Sequence, residues 1–187
     1  NQRFLKNCNR AAEKARGEFL LLLNNDTTAT EGWLAPLLKL FESSDVGIVG
    51  PKLLFPNGKL QEAGGIIWDD ASGWNYGRAD DPSRPQYNYV RETDYVSGAA
   101  LMIRRSLWQE LGGFDETFVP AYYEDTDLCF SVRAVGYKVA YQPASAVVHY
   151  EGMTNGTDLG GGQKQYQVVN QQRFLEKWQN ELARFHY

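Results

Sequence analysis

The 187-residue sequence predicts an α/β fold, in which helices flank a mixed and mostly parallel sheet. Short apolar runs of strand length alternate with segments whose apolar residues recur at helical spacing, and this alternation is typical of parallel sheets. An Asn-Gly turn between two apolar runs adds an antiparallel hairpin. The length fits one domain, which we place at residues 1–155, with a loop and helical extension at 156–187.

The first third of the chain predicts two helices, a strand and a hairpin. Apolar residues at helical spacing predict a helix over 4–15, and the uninterrupted run FLLLL at 19–23 predicts a strand covered on both faces. Thr30 is placed to cap a second helix over 33–41. The two apolar runs around the PNGK turn at 56–59 then predict the arms of the hairpin.

The remainder of the chain predicts further elements around one long connection. Residues 69–90 are rich in Gly, Pro, Asp and aromatic residues without a period, which predicts either a mobile or a functional loop. After it we expect two strands joined by a glycine turn, then a short helix and a second helix over 124–136. The two short strands YKVAYQP and SAVVHY follow, and a glycine-rich loop then leads to a polar amphipathic helix.

Composition narrows the function classes. The net charge of −4 and the absence of a basic stripe argue against a nucleic-acid partner. No apolar run reaches about 18 residues, so no transmembrane helix is expected. Cys8 and Cys129 lie far apart and outside any CxxC pair, which favours buried thiols in a reducing, cytoplasmic compartment.

Asn24, Asn25 and Asp26 follow the predicted strand FLLLL directly. Ligands of open α/β sheets gather beyond the carboxyl ends of strands, and oxygen side chains there suit a divalent cation that bridges phosphates. The same tripeptide also fits an Asx turn that caps the next helix. The tripeptide alone leaves both interpretations open.

Glu124 and Asp125 stand side by side at the predicted start of a helix. Acidic residues stabilise a first helical turn by capping, but a carboxylate aimed at a cleft can also act as a general base. Adjacent helical positions point about 100° apart, so one carboxylate can face a cleft while the other is anchored to the scaffold.

Two further positions carry weaker signals. His149 ends the predicted strand SAVVHY, and it is either a structural histidine or a ligand for a cation such as Mn²⁺. Gly98 lies among the small residues SGAA between two strands, where tight packing or the close approach of a ligand would both require a small residue.

The order of three segments resembles one family. EFLLLLNND, then VSGAALMIRRSLWQELGGFDE, then YYEDTDLCFSVRAVGYKVAYQPASAVVHYEG are similar to the glycosyltransferase family 2 domain of the GT-A fold, most closely to its bacterial rhamnosyltransferase-type branch. The resemblance covers roughly residues 1–155. The family begins with further nucleotide-binding strands that this sequence lacks, which implies an N-terminally truncated domain without a complete nucleotide pocket.

The resemblance implies roles for several residues. Asn24, Asn25 and Asp26 match the DxD motif, with Asp26 as the metal-binding carboxylate and with Asn in place of the first Asp. His149 would complete the site for Mn²⁺ or Mg²⁺, and Asn24, Asn25 and Gly98 would contact the nucleotide-sugar donor. Glu124 and Asp125 match the catalytic acidic pair, with Asp125 as the base.

The implied reaction is a single inverting displacement. A UDP-, dTDP- or GDP-linked sugar would pass to a glycan or lipid-linked acceptor at the cytoplasmic face, with the whole protein peripheral to the inner side of the membrane. The residues that we expect on the acceptor side are Trp68, Trp74, Tyr76 and Asp115. Open strand edges would favour homo-oligomers. The alternative is a non-catalytic glycan- or protein-binding module on the same scaffold. A nucleotidyltransferase is less favoured, because a basic glycine-rich phosphate loop is missing.

Overall fold

A computed structural model describes residues 4–150 and 165–185. The helices are α1 (Phe4–Ala12), α2 (Leu34–Leu40), α3 (Arg105–Leu111), α4 (Glu124–Ala134) and α5 (Gln165–Phe185). The strands are β1 (Phe19–Leu23), β2 (Thr27–Ala29), β3 (Val46–Leu54), β4 (Leu60–Glu62), β5 (Gly65–Ile67), β6 (Gly73–Asn75), β7 (Arg91–Glu92), β8 (Ala100–Arg104) and β9 (Lys138–His149). Short 3₁₀ turns occupy Pro85–Tyr87 and Glu116–Phe118.

Within the described residues, seven strands form one sheet. Its main order is β1-β8-β3-β9-β2, with β4 paired to β3 and β7 paired to β9, while β5 and β6 form a separate hairpin. The mixed α/β architecture that the sequence predicts is confirmed. The expected majority of parallel pairs is wrong, because β3–β9 is parallel and the other pairs of the described sheet are antiparallel.

Strand β8 explains the difference in pairing. Both β1 and β3 are antiparallel to β8, so β1, β3 and β9 run in the same direction, as alternating strands and helices predict. Strand β8 lies between β1 and β3 and separates these two parallel strands. The alternation of elements therefore indicated strand direction but not which strands are neighbours.

The core lies on both faces of the sheet. On one face, α3, α4 and α5 pack on the sheet through a cluster that includes Leu107, Phe130, Phe174 and Leu182. On the other face, α2 packs through a smaller cluster that includes Leu37. The boundary that we placed between 155 and 156 lies outside the described residues, and α5 beyond it belongs to the main core.

Strand β1 is covered on one face only. Leu20 and Leu22 are buried, whereas Leu21 and Leu23 are 37% and 43% exposed, so the expected burial on both faces is wrong for the described residues. In this part of the chain β1 is also an end strand of the sheet. The apolar run thus predicted the strand but not its surroundings.

Three other local features of the structure differ from what the sequence predicts. The Thr30 hydroxyl donates to the carbonyl of Ala146 at 2.8 Å instead of capping α2, which has no side-chain cap. The two predicted strands before Tyr150 are one continuous strand, β9, with a register shift against β3. The connection 69–90 contains β6 and a 3₁₀ turn, so it is not structureless.

The two cysteines occupy apolar surroundings. Cys129 is fully buried, and Cys8 is half-buried against the same cluster. Both thiols are free, and burial raises the pKa of each, that of Cys8 to about 11. Among the described residues, no helix combines the length and the apolarity that crossing a bilayer requires.

Replacing Phe174 by Ala tests how far α5 belongs to the core. Phe174 is fully buried, and its ring lies 4.9 Å from that of Phe130 and 5.3 Å from that of Tyr123. The cavity should lower the free energy of unfolding by about 3–5 kcal/mol. Urea unfolding measures the change, with Val168→Ala, 73% exposed on the same helix, as the control. Equal stabilities of the two variants would contradict the packing described here.

Candidate functional site

The turn after β1 lies beside the start of β8. Leu23 pairs with Ala100 in the β1–β8 register, and the N–H of Asn24 donates to the carbonyl of Ala99 at 2.9 Å. Gly98 immediately precedes Ala99 and Ala100 in sequence. The polar tripeptide and the small-residue segment, which are more than 70 residues apart in sequence, are therefore brought together at one edge of the sheet.

The tripeptide does not cap a helix. The Thr27 hydroxyl donates to the carbonyl of Asn24 at 2.6 Å and closes a turn that leads into β2. The next helix begins only at Leu34. Asn25 is exposed and Asn24 is half-buried, so both amides lie at the surface of this edge. Their roles in donor binding stay predictions.

Pairing between β2 and β9 brings Asp26 to His149. Thr27 lies opposite His149, and the N–H of Tyr150 donates to the carbonyl of Asp26 at 2.9 Å. As a result, His149 Nε2 lies 3.4 Å from Asp26 Oδ1, with the two side chains only 14% and 13% exposed. The two residues proposed as metal ligands are thus adjacent.

Gln61 orients the imidazole ring of His149. Its Oε1 lies 3.0 Å from His149 Nδ1, and Gln61 is 2% exposed on β4. Because a carbonyl oxygen only accepts, Nδ1 is the donor in this contact, and Nε2 is the ring nitrogen that faces Asp26. Such a partner on the second ring nitrogen is the usual support of a metal-binding histidine.

The Asp26–His149 pair fits a divalent cation. Two ligand atoms about 2.1 Å from a metal, on neighbouring octahedral positions, are about 3 Å apart, so the separation of 3.4 Å requires little adjustment. One carboxylate oxygen and one imidazole nitrogen suit Mn²⁺ and remain acceptable for Mg²⁺. The described residues contain no group of three His, Cys, Asp or Glu that could hold a metal, so other ligands would be needed.

Helix α4 begins at a strained pair of tyrosines. Tyr122 and Tyr123, which we call the elbow, have φ values of 74° and 71°. This left-handed conformation costs roughly 1–3 kcal/mol for each non-glycine residue. The carbonyl of Tyr123 accepts from the N–H of Asp127 at 2.8 Å and starts the helix. The elbow therefore sets the direction of the first helical turn, which carries Glu124 and Asp125.

The two adjacent carboxylates have different surroundings. Asp125 is partly exposed; its Oδ2 accepts from the N–H of Gly98 at 2.8 Å and its Oδ1 from the N–H of Thr126 at 2.7 Å. Glu124 is 7% exposed, and within the described residues its Oε2 has no hydrogen-bond partner. Asp125 thus lies at the edge of the sheet beside Gly98, whereas Glu124 points into the interior.

Burial determines the protonation of this pair. It raises the pKa of Glu124 to about 8, and the charge of Asp125 adds to the shift, so Glu124 holds a proton at neutral pH. Burial also raises the pKa of Asp125, but the N–H groups of Gly98 and Thr126 favour its anion. We therefore assign the negative charge of the pair to Asp125.

Glu62 adds a third carboxyl group behind the site. It is 1% exposed on β4, and its Oε1 accepts from the N–H of Ser97 at 3.0 Å. Burial raises its pKa to about 8, opposed by the Ser97 N–H and increased by the charge of Asp125. Glu62 and Asp125 thus hold the backbone N–H groups of two consecutive residues, Ser97 and Gly98.

Two of the aromatic residues expected on the acceptor side belong to a hairpin that contacts the elbow. Trp68 follows β5 in the turn of the β5–β6 hairpin and Trp74 lies on β6, and they are 41% and 44% exposed. At the tip of this hairpin, the carbonyl of Ala71 accepts from the hydroxyl of Tyr123 at 2.8 Å. The hairpin therefore contacts the segment that carries Asp125, and the roles of both tryptophans stay predictions.

Tyr76 and Asp115 have other contacts. The ring of Tyr76 packs edge-to-face on Tyr87 at 5.2 Å and lies 4.4 Å from the guanidinium carbon of Arg91. Asp115 Oδ2 accepts from Lys177 Nζ at 2.8 Å on the side of α5. These contacts occupy much of both side chains, and the expected acceptor roles stay predictions.

Gln61 and Glu62 are site residues that the sequence analysis missed. The segment LQEAGG was recognised only as the second arm of the hairpin. A signal was present, because two consecutive polar residues occupy an arm that is otherwise apolar. Consecutive residues of a strand face opposite sides, so one of the two could face solvent. Where both faces of the strand are covered, both polar side chains require hydrogen-bond partners.

Comparisons with known proteins identify the family of the chain. A sequence model of the family described as "Glycosyltransferase like family 2" matches residues 4–166. The chain is 33% identical over 158 residues to the O-antigen biosynthesis protein RfbC of Myxococcus xanthus, covering 80% of this chain and 12% of RfbC. It is 35% identical over 68 residues to the N-acetylglucosaminyl-diphospho-decaprenol L-rhamnosyltransferase of Mycobacterium tuberculosis, covering 36% and 22%.

The fold also matches a solved structure. The crystal structure of GalNAc-T7 with UDP, GalNAc and Mn²⁺ superposes with a TM-score of 0.73 at 18% identity, covering 97% of this chain and 37% of that one. This likeness confirms the expected GT-A fold. The chain spans less than a quarter of the length of the two curated relatives.

Replacing Gln61 by Leu should weaken metal binding. The substitution removes the acceptor for His149 Nδ1–H at similar side-chain volume, and loss of such a partner costs about 10- to 100-fold in metal affinity. Titration with Mn²⁺ in the presence of UDP, followed by electron paramagnetic resonance, measures the affinity. Gln109→Leu, exposed on α3, is the control. Unchanged Mn²⁺ affinity would contradict the role of Gln61.

Replacing Glu62 by Gln should change how stability depends on pH. The folded-state pKa of about 8 exceeds the ordinary value of 4.5, so between these pH values the folded chain retains a proton that the unfolded chain releases. Stability of the native sequence therefore falls as pH rises through this window, by up to about 1.4 kcal/mol per pH unit for this group.

The neutral amide removes this contribution. Urea unfolding at several pH values from 5 to 8 should show that Glu62→Gln gains stability relative to the native sequence as the pH rises, whereas the exposed control Glu31→Gln should not. A constant difference between Glu62→Gln and the native sequence across the window would show that Glu62 is ionised in the fold.

Proposed function

The chain belongs to glycosyltransferase-like family 2, and from this premise we propose that it carries the catalytic base of an inverting glycosyltransferase. The sugar passes from a nucleotide diphosphate donor to a hydroxyl group of a glycan or lipid-linked acceptor. One observation carries the proposal: the Asp125 carboxylate is bound to the N–H of Gly98, next to the strand pair that leads to Asp26.

Asp125 acts as the general base. It is the partly exposed member of the acidic pair, and two backbone N–H groups stabilise its anion. Asp125 takes the proton of the acceptor hydroxyl while the hydroxyl oxygen forms a bond to the anomeric carbon. The bond from that carbon to the diphosphate breaks, and the diphosphate leaves with the electron pair, so that one displacement inverts the configuration.

Glu124 remains protonated beside Asp125. Because its pKa is about 8, it adds no second negative charge near the reacting oxygen at neutral pH. The buried neutral carboxyl also fills the space behind Asp125. Glu124 therefore supports the base and does not compete with it for the acceptor proton.

Asp26 and His149 would hold the divalent cation. When bound, Mn²⁺ or Mg²⁺ offsets the charge that develops on the leaving diphosphate. Asp26 and His149 supply one oxygen and one nitrogen ligand, and Gln61 fixes the orientation of the imidazole. The neutral side chain of Asn24 is available to the ribose or the diphosphate of the donor.

The names of the relatives support the proposed substrate classes. RfbC is named for O-antigen biosynthesis, the rhamnosyltransferase for a lipid-linked diphosphate acceptor, and the GalNAc-T7 structure contains UDP. A UDP-, dTDP- or GDP-linked donor and an acceptor in envelope polysaccharide synthesis are consistent with these names. The whole protein would act at the cytoplasmic face of the membrane. The edge of β1 offers a surface for a second copy of the chain.

The alternative is a non-catalytic module that binds a glycan or a protein. The observation in its favour is Asn24, which replaces a carboxylate of the metal-binding motif that the resemblance implies. This module would retain the fold and ligand contacts but show no turnover. Substitution of Asp125 distinguishes it from an enzyme.

Replacing Asp125 by Asn should remove transfer and preserve donor binding. Loss of a general base lowers kcat by about 10²- to 10⁴-fold, whereas the neutral amide retains the shape of the side chain. The assay uses the whole protein that contains this chain, with Mn²⁺ and bacterial lipid extract. It measures nucleoside diphosphate released from UDP-N-acetylglucosamine, UDP-glucose, dTDP-rhamnose and GDP-mannose.

Asp26→Ala provides the contrast in this experiment. It should weaken binding of the donor in the presence of Mn²⁺, because it removes a ligand, whereas Asp125→Asn should leave that binding close to the native level. Near-native turnover of Asp125→Asn would contradict the assignment of the base. Absence of turnover in the native protein with every donor would favour the binding module.

A further inference from the structure

Asn170 on α5 contacts the segment that leads to the elbow. It is fully buried, and its Nδ2 lies within hydrogen-bond distance of three carbonyl oxygens, those of Phe118 and Ala121 at 2.8 Å and that of Tyr122 at 3.0 Å, so its two N–H groups are shared among three acceptors. Its Oδ1 accepts from Arg173 Nη1 at 3.0 Å. The opposite amide orientation would place an oxygen against three carbonyl oxygens, so the contacts fix the assignment of the amide.

Other α5 residues fasten the same region. Arg173 Nη1 also donates to the carbonyl of Thr117 at 2.7 Å. Lys177 and Trp178 donate to the two carboxylate oxygens of Asp127 at 2.9 and 2.8 Å, and Asp127 is 2% exposed in the first turn of α4. Polar contacts from α5 thus lie on both sides of the elbow.

The elbow needs such contacts because its conformation is unfavourable. Both tyrosines have positive φ, and left-handed backbone in residues with a Cβ persists only where the surroundings hold it. The hydroxyl of Tyr123 is bonded to Ala71, while the carbonyl of Tyr122 is bonded to Asn170. Asn170 is therefore the contact from α5 to the backbone of the strained pair itself.

We propose that Asn170 is a positioning residue for the general base. By holding the carbonyls of the elbow, it fixes the first turn of α4, in which Asp125 reaches the N–H of Gly98. Asn170 is 45 residues after Asp125 in sequence, and its hydrogen bonds within the described residues go to Phe118, Ala121, Tyr122 and Arg173, not to the residues proposed to bind the donor or the metal. We call the hydrogen bonds from Asn170 and Arg173 to the backbone of 117–122 the clamp. The catalytic part of this inference rests on the proposed function, whereas the clamp rests on these contacts alone.

Replacing Asn170 by Leu tests the proposal at similar side-chain volume. If the base is displaced, kcat should fall by about 10- to 100-fold, since small misplacements of catalytic groups have effects of this size. The KM for the donor and the Mn²⁺ dependence should stay at native levels, because Asp26 and His149 lie on other elements. A merely structural role would instead lower the amount of folded protein without this separation of kcat from KM.

Two further variants complete the kinetic comparison. Arg173→Ala removes the side chain that bonds Thr117 and Asn170, and it should also lower kcat, by a smaller factor than Asn170→Leu. Because Arg173 is exposed, its replacement removes little buried surface from the fold. The control is Gln172→Leu, a neighbouring exposed amide on α5 that bonds only Glu176 among the contacts described here. A folded Asn170→Leu or Arg173→Ala protein with native kcat would overturn the proposal.

Hydrogen exchange separates this inference from the proposed function. Deuterium uptake by a peptide spanning 114–127 should rise in Asn170→Leu and Arg173→Ala relative to Gln172→Leu, whether or not a donor is turned over. If deuterium uptake rises in the two variants but the native protein transfers no sugar, the clamp is supported and the catalytic role of Asn170 is rejected. Unchanged uptake in both variants would reject the clamp itself.

Discussion

The pairing of β9 with its neighbours is the interaction on which the rest of the molecule depends. This strand of 12 residues is parallel to β3 and antiparallel to β2 and β7, so it is an interior strand of the described sheet with three partner strands. Its buried residues, among them Val139, Tyr141 and Val147, supply apolar contacts along its length. Its last residue, His149, is therefore held by the core of the fold and is not placed by a loop.

The same pairing brings three separate segments to one edge. Strand β2, which begins directly after Asp26, pairs with one edge of β9. Strand β3 pairs with the other edge of β9, and its hairpin partner β4 contains Gln61. Backbone hydrogen bonds set these positions, and a shift of one residue would turn each side chain to the opposite face. The distances between Asp26, His149 and Gln61 are thus consequences of strand register.

The acidic part of the site has a thermodynamic cost that the core offsets. Glu62 and Glu124 are buried carboxyls with raised pKa values, and two consecutive tyrosines have left-handed backbone. Each feature opposes folding, and such features cluster where a function requires them. The aromatic contacts of Phe174 with Tyr123 and Phe130 stabilise the same region from α5.

The sequence by itself determined the class of fold and the principal elements, and it predicted Asp26, Asp125 and His149 as site residues but not Gln61 or Glu62. Apolar runs and helical spacing are local properties, so FLLLL indicated β1, and the acidic start of EDTDLCFSVRAVG indicated α4. The order of the motifs added the family resemblance, which the match over residues 4–166 confirms.

Only the tertiary structure decided how these pieces meet. The insertion of β8 between β1 and β3, the merging of two predicted strands into β9 and the approach of Gln61 to His149 depend on pairings between distant segments. Asn170 gave no signal in sequence, because a polar residue on an amphipathic helix is ordinarily exposed. Its role follows from the burial of α5 against the elbow, which is a property of packing and not of any local pattern.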